Sequence, residues 1–307
     1  MTIPRVLVLM ATYQGMPWIL DQMASVLAQE DVHVCVAVGD DGSKDGTAEA
    51  IGTHFDGDVR VGTTIWPTGS GSAGENFRRL IHANDAVGFD YIAFADQDDL
   101  WRPRKLTVAI NRLLESECAG YSSAVDAFWE DGRTRELTQS GRQRGADFLF
   151  EGAGQGCTFV MTYAFFARLR RLVMEYPVEA SRMHYHDWMT YVAARAMKAG
   201  WFFDPVPNMA YRQHRANELG ARSGLSSVIR RLDKIRDGWF KGQVEAALAF
   251  SKVAGSSNEQ VDVFSRIFTA RPSALRRLKL ATFVLRQGRR KLSDRCILVI
   301  ASLAGWL

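Results

Sequence analysis

The chain has 307 residues, 47% hydrophobic and 23% charged, an ordinary globular balance that argues against extensive disorder. That length can bury one good-sized core, or a core plus an appendage. The net charge of +4 is unevenly spread: residues 1–221 carry 21 Lys+Arg against 28 Asp+Glu, and residues 222–307 carry 17 against 6. An acidic body with a basic tail points to an appended surface that meets phosphates or anionic lipid.

Val6–Ala11 is β-branched-rich and ends at polar Thr12-Tyr13, so it reads as a buried strand. Pro17–Gln29 has helical spacing. Val32–Val38 is a second strand, running into Gly39-Asp40-Asp41-Gly42-Ser43-Lys44-Asp45-Gly46-Thr47. A helix opens near Ala48, with Asp45 or Thr47 as its cap. A third strand is expected over Val59–Ile65, then a flexible Gly69–Gly74 loop and a helix over Glu75–Asn84. Tyr91–Ala95 is the fourth strand, and Pro103 starts the next helix. Strand–helix alternation of this kind implies a doubly wound, mostly parallel α/β sheet whose ligands bind beyond the carboxyl ends of its strands.

After about residue 120 the alternation stops. Tyr121–Trp129 and Gln155–Met161 read as strands, Met183–Lys198 as a helix, and Trp201–Pro207 with Met209–Arg212 as closing strands. From about Leu225 the pattern is helical and basic. The expected division is a body over 1–222, with halves meeting near residue 120, and an extension over 223–307. The cysteines (Cys35, Cys118, Cys157, Cys296) form no CxxC pair and read as reduced, as in a cytoplasmic protein. No signal peptide is expected, because Thr12-Tyr13-Gln14 interrupts the first apolar run. The longest uncharged apolar stretch, Cys296–Leu307, is too short to span a bilayer.

The most informative residues close the fourth strand: Asp96, Asp98 and Asp99 directly follow Ile92-Ala93-Phe94-Ala95. Clustered carboxylates at a buried strand end are costly unless a cation or ligand neutralises them. Oxygen donors suit Mg²⁺ or Mn²⁺, which bring phosphate oxygens with them. Asp98 is the expected direct ligand, and Asp96 reaches a ribose hydroxyl or the metal through water. Asp41 can accept from a base N–H, and Tyr13 can stack on that base; taken alone, these are also a turn acid and a core aromatic. Asn76, Arg78 and Arg79 lie at an expected helix N-terminus, which favours phosphate, or else form a solvated helix face. Asp187 stands at a helix start, separate from the acid cluster, and can serve as a general base or only as a cap, with His184 and His186 as neighbouring rivals.

Together Val6–Tyr13, Gly39–Thr47 and Asp96-Gln97-Asp98-Asp99-Leu100-Trp101 resemble glycosyltransferase family 2, and the later segments agree in order: Gln155-Gly156-Cys157-Thr158, His186-Asp187-Trp188 and Tyr211-Arg212-Gln213-His214. The resemblance covers about residues 3–220 and looks closest to rhamnosyltransferase-like members. It implies a GT-A fold and an inverting, metal-dependent transfer of a sugar, rhamnose first, from a dTDP- or UDP-linked donor. The acceptor would be a hydroxyl of a glycan or polyprenyl-linked chain in bacterial cell-surface polysaccharide synthesis. It implies that Ala11, Tyr13, Asp41, Asn76, Asp96, Gln97 and Asp98 bind the donor, and that Asp98 and His214 hold Mg²⁺ or Mn²⁺. Asp187 would be the general base, with Gln155, Gly156 and Trp188 near the acceptor or sugar. Gln14, Gly39 and Arg215 depart from the family pattern. The Gln-x-x-Arg-Trp signature of processive synthases is missing, so addition of one sugar or very few is expected.

Three other readings compete. A UDP-hexose transferase of the same fold would use the same residues. Asp96-x-Asp98 also resembles aspartate-nucleophile phosphatases, but those want Thr or Val where Leu100 stands, and Asp41 and Asp187 would be idle. A noncatalytic sugar-nucleotide or glycan-binding module would not need Asp187. In the tail, Leu278, Ala281, Leu285 and Leu292 alternate with Arg276, Arg277, Lys279, Arg286, Arg289, Arg290 and Lys291. Such a basic amphipathic segment suits either an anionic membrane, which would make the protein peripheral at its inner face, or packing on the body or on a second copy in a homo-oligomer. No nucleic-acid partner is expected.

Overall fold

The computed structural model describes residues 2–138, 142–214, 233 and 235–307. Arg215 and the expected division near residue 222 lie outside the described residues. Strands β1 (Arg5–Thr12), β2 (His33–Asp40), β3 (Val61–Ile65) and β4 (Tyr91–Ala95) form the parallel half of a seven-stranded sheet. Between them run helices α1 (Ile19–Leu27), α2 (Thr47–His54) and α3 (Ala73–Ala83). Val6 to Thr12 are all buried because helices cover both sheet faces. Alternation along β1 sends Val6, Val8 and Met10 into one core layer and Leu7, Leu9 and Ala11 into the other.

Past β4 come β5 (Leu100–Trp101), α4 (Lys105–Ser116), β6 (Gly120–Ser123), β7 (Val125–Trp129) and β8 (Thr134–Leu137). They are followed by β9 (Val160–Thr162), α5 (Tyr163–Glu175), α6 (Pro177–Arg182), α7 (His186–Ala196), β10 (Trp201–Asp204) and β11 (Met209–Gln213). The large sheet has the order β10-β6-β9-β4-β1-β2-β3, with β9 antiparallel to both neighbours and every other pairing parallel. A second sheet, β5-β11-β7-β8, lies beyond the sequence reading. The expected strand Tyr121–Trp129 is in fact two, because the chain changes sheets at Ala124, whose N–H donates to the Asp204 carbonyl at 2.9 Å. Gln155–Met161 is likewise not one strand: Gly156–Thr158 is a 3-10 turn and only Val160 onward pairs. Helix α4 starts two residues after Pro103, and Gly46 (φ +87°) precedes α2 while the Asp45 carboxylate takes the Thr47 N–H and hydroxyl.

The C-terminal helices are α8 (Trp239–Val253), α9 (Glu259–Phe268), α10 (Ala274–Gln287) and α11 (Leu292–Ala304). They share the hydrophobic core of the body: Phe240 stacks near Trp188, and Phe264 meets the edge of Phe150. Arg290 is buried against Asp147 and Glu151, and Arg289 donates to the Phe150 carbonyl at 2.9 Å. Two of the tail's basic residues are therefore spent on the body. Among the described residues no helix is long and apolar enough to cross a membrane.

Candidate active site

The carboxyl ends of β1, β2 and β4 meet in one crevice. Asp40, fully buried, builds its floor by accepting from the Gly42 and Ser43 N–H groups and from the Thr12 and Ser43 hydroxyls. Asp41, next along, takes the Ser70 N–H and hydroxyl, both at 2.8 Å, and the Gly71 N–H at 3.2 Å, with Arg79 at 3.6 Å. The expected base-binding carboxylate is thus covered by the Gly69–Gly74 loop, and a base N–H must share or displace Ser70. The Ser and Gly of that loop were the sequence signal for this, since small residues allow close backbone approach. Tyr13 is 56% exposed beside it, open to a stacking partner.

Three residues expected to contact the donor are held within the fold. Asn76 is buried; its amide donates to the Gly39 carbonyl at 2.8 Å and the Thr12 carbonyl at 3.3 Å, and its oxygen accepts the Trp66 indole N–H. A side chain at Gly39 would collide with Asn76 and Leu80, so this glycine permits the contact. Gln97 spends its amide on both backbone groups of Tyr13, at 2.7 and 2.9 Å, and so positions that ring. Ala11 is enclosed within β1. Arg78 also serves the fold, donating to the Met183 carbonyl at 2.6 Å.

The acid loop is closed by β11. His214 Nε2 lies 2.6 Å from Asp98 Oδ2, and its ring stacks on Trp18 at 4.2 Å. Arg212 donates from its backbone to Asp99 Oδ1 and from its side chain to the Asp98 carbonyl. The sequence named the Tyr211–His214 segment but gave Arg212 no part in this closure. Beneath lie Asp99, Cys157 and Lys105, all fully buried. Ligand atoms of Asp96, Asp99 and Cys157 fall within 4.8 Å of one another, and Asp99 Oδ2 has no hydrogen-bond partner. Burial, then the charges of Asp98 and Asp96, push the Asp99 carboxyl well above its usual range. Burial and Asp99 do the same to the Cys157 thiol, which stays protonated. Burial lowers the Lys105 ammonium to about 7, over the Trp101 ring at 3.5 Å. The crowded carboxylates, with the His214 imidazole against Asp98 at the rim, are a donor set that would suit a hard divalent cation, with Asp98, His214 and Asp96 as the candidate ligands.

Asp187 lies across Gly156 from this cluster. Cys157 touches the acids, and a methyl placed on Gly156 would sit 2.4 Å from His186 Nε2 and 3.3 Å from Asp187 Cβ. Only glycine lets the 3-10 turn press this tightly against the start of α7. Asp187 Oδ1 accepts the Trp188 N–H at 2.5 Å. His186 is buried, stacked on Phe77 at 3.7 Å, and burial together with Arg78 lowers its pKa to about 3, so it is neutral and a poor base. Trp188, expected near the acceptor, is instead core: its indole donates to the Phe148 carbonyl at 2.7 Å.

Residues 7–176 match the family model "Glycosyl transferase family 2". The chain is 35% identical to the dTDP-rhamnosyl transferase RfbG of Shigella flexneri, over 76% of this chain and 82% of that one. It is 30% identical to the putative teichuronic acid biosynthesis glycosyltransferase TuaG of Bacillus subtilis (strain 168), over 42% of this chain and 50% of that one. The crystal structure of S. aureus TarS 1–349 in complex with UDP-GlcNAc superposes with a TM-score of 0.56 at 12% identity, covering 98% of this chain and 90% of that one, which gives the GT-A fold. The crevice, its acid cluster and these matches make the chain a glycosyltransferase, and it belongs to glycosyl transferase family 2.

Proposed function

We propose that the protein is an inverting, metal-dependent rhamnosyltransferase that moves rhamnose from dTDP-rhamnose to a hydroxyl of a glycan or polyprenyl-linked acceptor in bacterial cell-surface polysaccharide synthesis. The observation that supports the mechanism is the close approach at Gly156, where the start of α7 that carries Asp187 packs against the turn whose next residue, Cys157, lies with Asp96 and Asp99. One acid site for the diphosphate and a separate carboxylate for the acceptor are what an inverting displacement requires. Similarity to RfbG and TuaG supports the sugar and the polysaccharide setting.

Asp187 takes the proton of the acceptor hydroxyl while that oxygen bonds to the anomeric carbon from the face opposite the phosphate. The C1–O bond to the diphosphate breaks, the nucleoside diphosphate departs with the bonding pair, and the anomeric configuration inverts. A bound Mg²⁺ or Mn²⁺ supplies positive charge for that leaving group. Tyr13 stacks on the pyrimidine, and Asp41 accepts its N–H once Ser70 yields; thymine and uracil satisfy both alike, so UDP-hexoses are the alternative donors. Gln155 and Gly156 border the sugar.

The test is turnover with dTDP-rhamnose against UDP-hexoses, with the product anomer read by NMR. An inverted rhamnoside is expected, and Asp187→Asn should cut turnover by roughly 10²–10⁴ with donor affinity kept. Near-normal turnover in that variant would place the base elsewhere, and preference for a UDP-hexose would replace the sugar.

A further inference from the structure

Residues 271–307 hold nine Lys and Arg and one acid, Asp294. Helices α10 and α11 cross this stretch as an antiparallel pair, tied where Arg295 Nη1 donates to the Leu285 carbonyl at 2.8 Å and Arg276 Nη1 to the Leu307 carbonyl at 3.4 Å. Each helix buries one face: Leu280, Phe283 and Val284 in α10, Leu298 and Ala301 in α11. The opposite faces are also apolar. On α10, Leu275, Leu278 and Leu285 follow one helical stripe; on α11, Leu292, Ile300 and Leu303 follow another. These six side chains are 43–60% exposed. Arg271, Arg277, Lys279, Arg286 and Lys291 are exposed around them, and no ion pair joins any of the five among the described residues.

We infer that this outer face of the α10–α11 pair docks in the plane of an anionic lipid surface. Exposed apolar stripes edged by unpaired cations match a headgroup layer that is negative above and hydrocarbon below. A second copy seated face to face would set cation against cation, so charge complementarity favours lipid. Helices of 14 and 13 residues lie on such a surface and do not span it. The docked pair is fixed to the site as well. The Arg290 guanidinium holds the Gly152 carbonyl at 2.8 Å and its backbone holds Glu151 at 2.5 Å, three to four residues before Gln155-Gly156. This consequence rests on the proposed transfer to a lipid-linked acceptor: the surface would hold the acceptor end of the crevice at a set height above the bilayer.

The full chain should sediment with phosphatidylglycerol-containing vesicles and not with pure phosphatidylcholine, less so as salt rises. Leu278→Glu/Leu285→Glu/Ile300→Glu and, separately, Lys279→Gln/Arg286→Gln/Lys291→Gln should each lower partitioning about tenfold or more with the melting temperature unchanged. Turnover on a short soluble acceptor should stay, while turnover on a vesicle-borne polyprenyl acceptor falls. Absence of vesicle binding in the full chain, or binding untouched in both variants, overturns the inference. So does a dimer in light scattering that the leucine variant dissociates, which would assign the face to a second copy. A chain that transfers sugar but ignores vesicles defeats only this inference; one that binds vesicles without transfer defeats only the proposed function.

Discussion

Single side chains decide which acids meet ligand and which hold the fold. Asp98 and Asp99 are neighbours, yet the first reaches His214 at the rim and the second is sealed below with an unpartnered oxygen. Asp98→Asn removes the rim carboxylate and leaves the sealed Asp99 in place, so the increment that Mn²⁺ adds to nucleotide-sugar affinity in calorimetry should vanish. An unchanged increment would take Asp98 out of the metal site. His186 makes a different prediction. Its folded pKa of about 3 lies below the ordinary 6.5, so between those values the unfolded chain holds a proton that the native chain refuses. Stability should therefore fall as pH drops below about 6.5, by up to about 1.4 kcal/mol per pH unit. His186→Leu keeps an apolar contact for Phe77 and cannot titrate, and urea melts at stepped pH should lose that part of the acid slope.

At the scale of elements, sequence pattern and structure part company in an instructive way. Strands β1, β2 and β4 were legible because they are largely buried apolar runs that end at polar loops, and Tyr91–Ala95 was read to the residue. The crevice followed, because ligand sites in such sheets lie at strand ends. What was not legible depends on partners distant in the chain. Nothing around Ala124 marks a change of sheet, since both strands mix apolar and polar residues and the break is set by their pairing with β9, β10 and β11. Asn76 and Gln97 are polar residues near a site, and only their hydrogen bonds show that they brace strand ends and the Tyr13 backbone. The Asp147 network was equally hidden. This fully buried carboxylate takes Arg195 at 2.6 Å, the Tyr191 hydroxyl at 3.0 Å and Arg290 at 3.3 Å, joining α7, the loop before Gly156 and the C-terminal pair. Asp147→Asn leaves the Arg195 guanidinium without its countercharge and Arg290 with Glu151 alone, and about 3–5 kcal/mol of stability should be lost. Chemical denaturation measures it; a loss under about 1 kcal/mol would mean that the network is dispensable.

For the whole molecule, the acidic body and the basic tail look separable on charge alone, and the packing says otherwise. One hydrophobic core holds Leu9 and Phe94 from the sheet, Trp188 and Met189 from α7, and Phe240, Phe264, Val284 and Leu298 from α8 to α11. Removing those helices strips cover from Phe148, Phe150 and Trp188 and takes Arg290 away from Asp147 and Glu151, so large apolar side chains, the buried Asp147 and the partly buried Glu151 would each lose a partner at once. Both losses act on the segment before Gly156, which means that this side of the crevice would suffer first. Truncation after residue 222 is therefore a poor way to separate membrane docking from catalysis, and the surface substitutions on α10 and α11 are the better one. The full chain should melt in a single cooperative transition by calorimetry, and the truncated chain should be aggregation-prone, with weak near-ultraviolet dichroism and rapid proteolysis around residues 147–156. A truncated chain that stays soluble, melts cooperatively and still binds nucleotide sugar would show that the body folds by itself, and the shared core would then be an interface between two units.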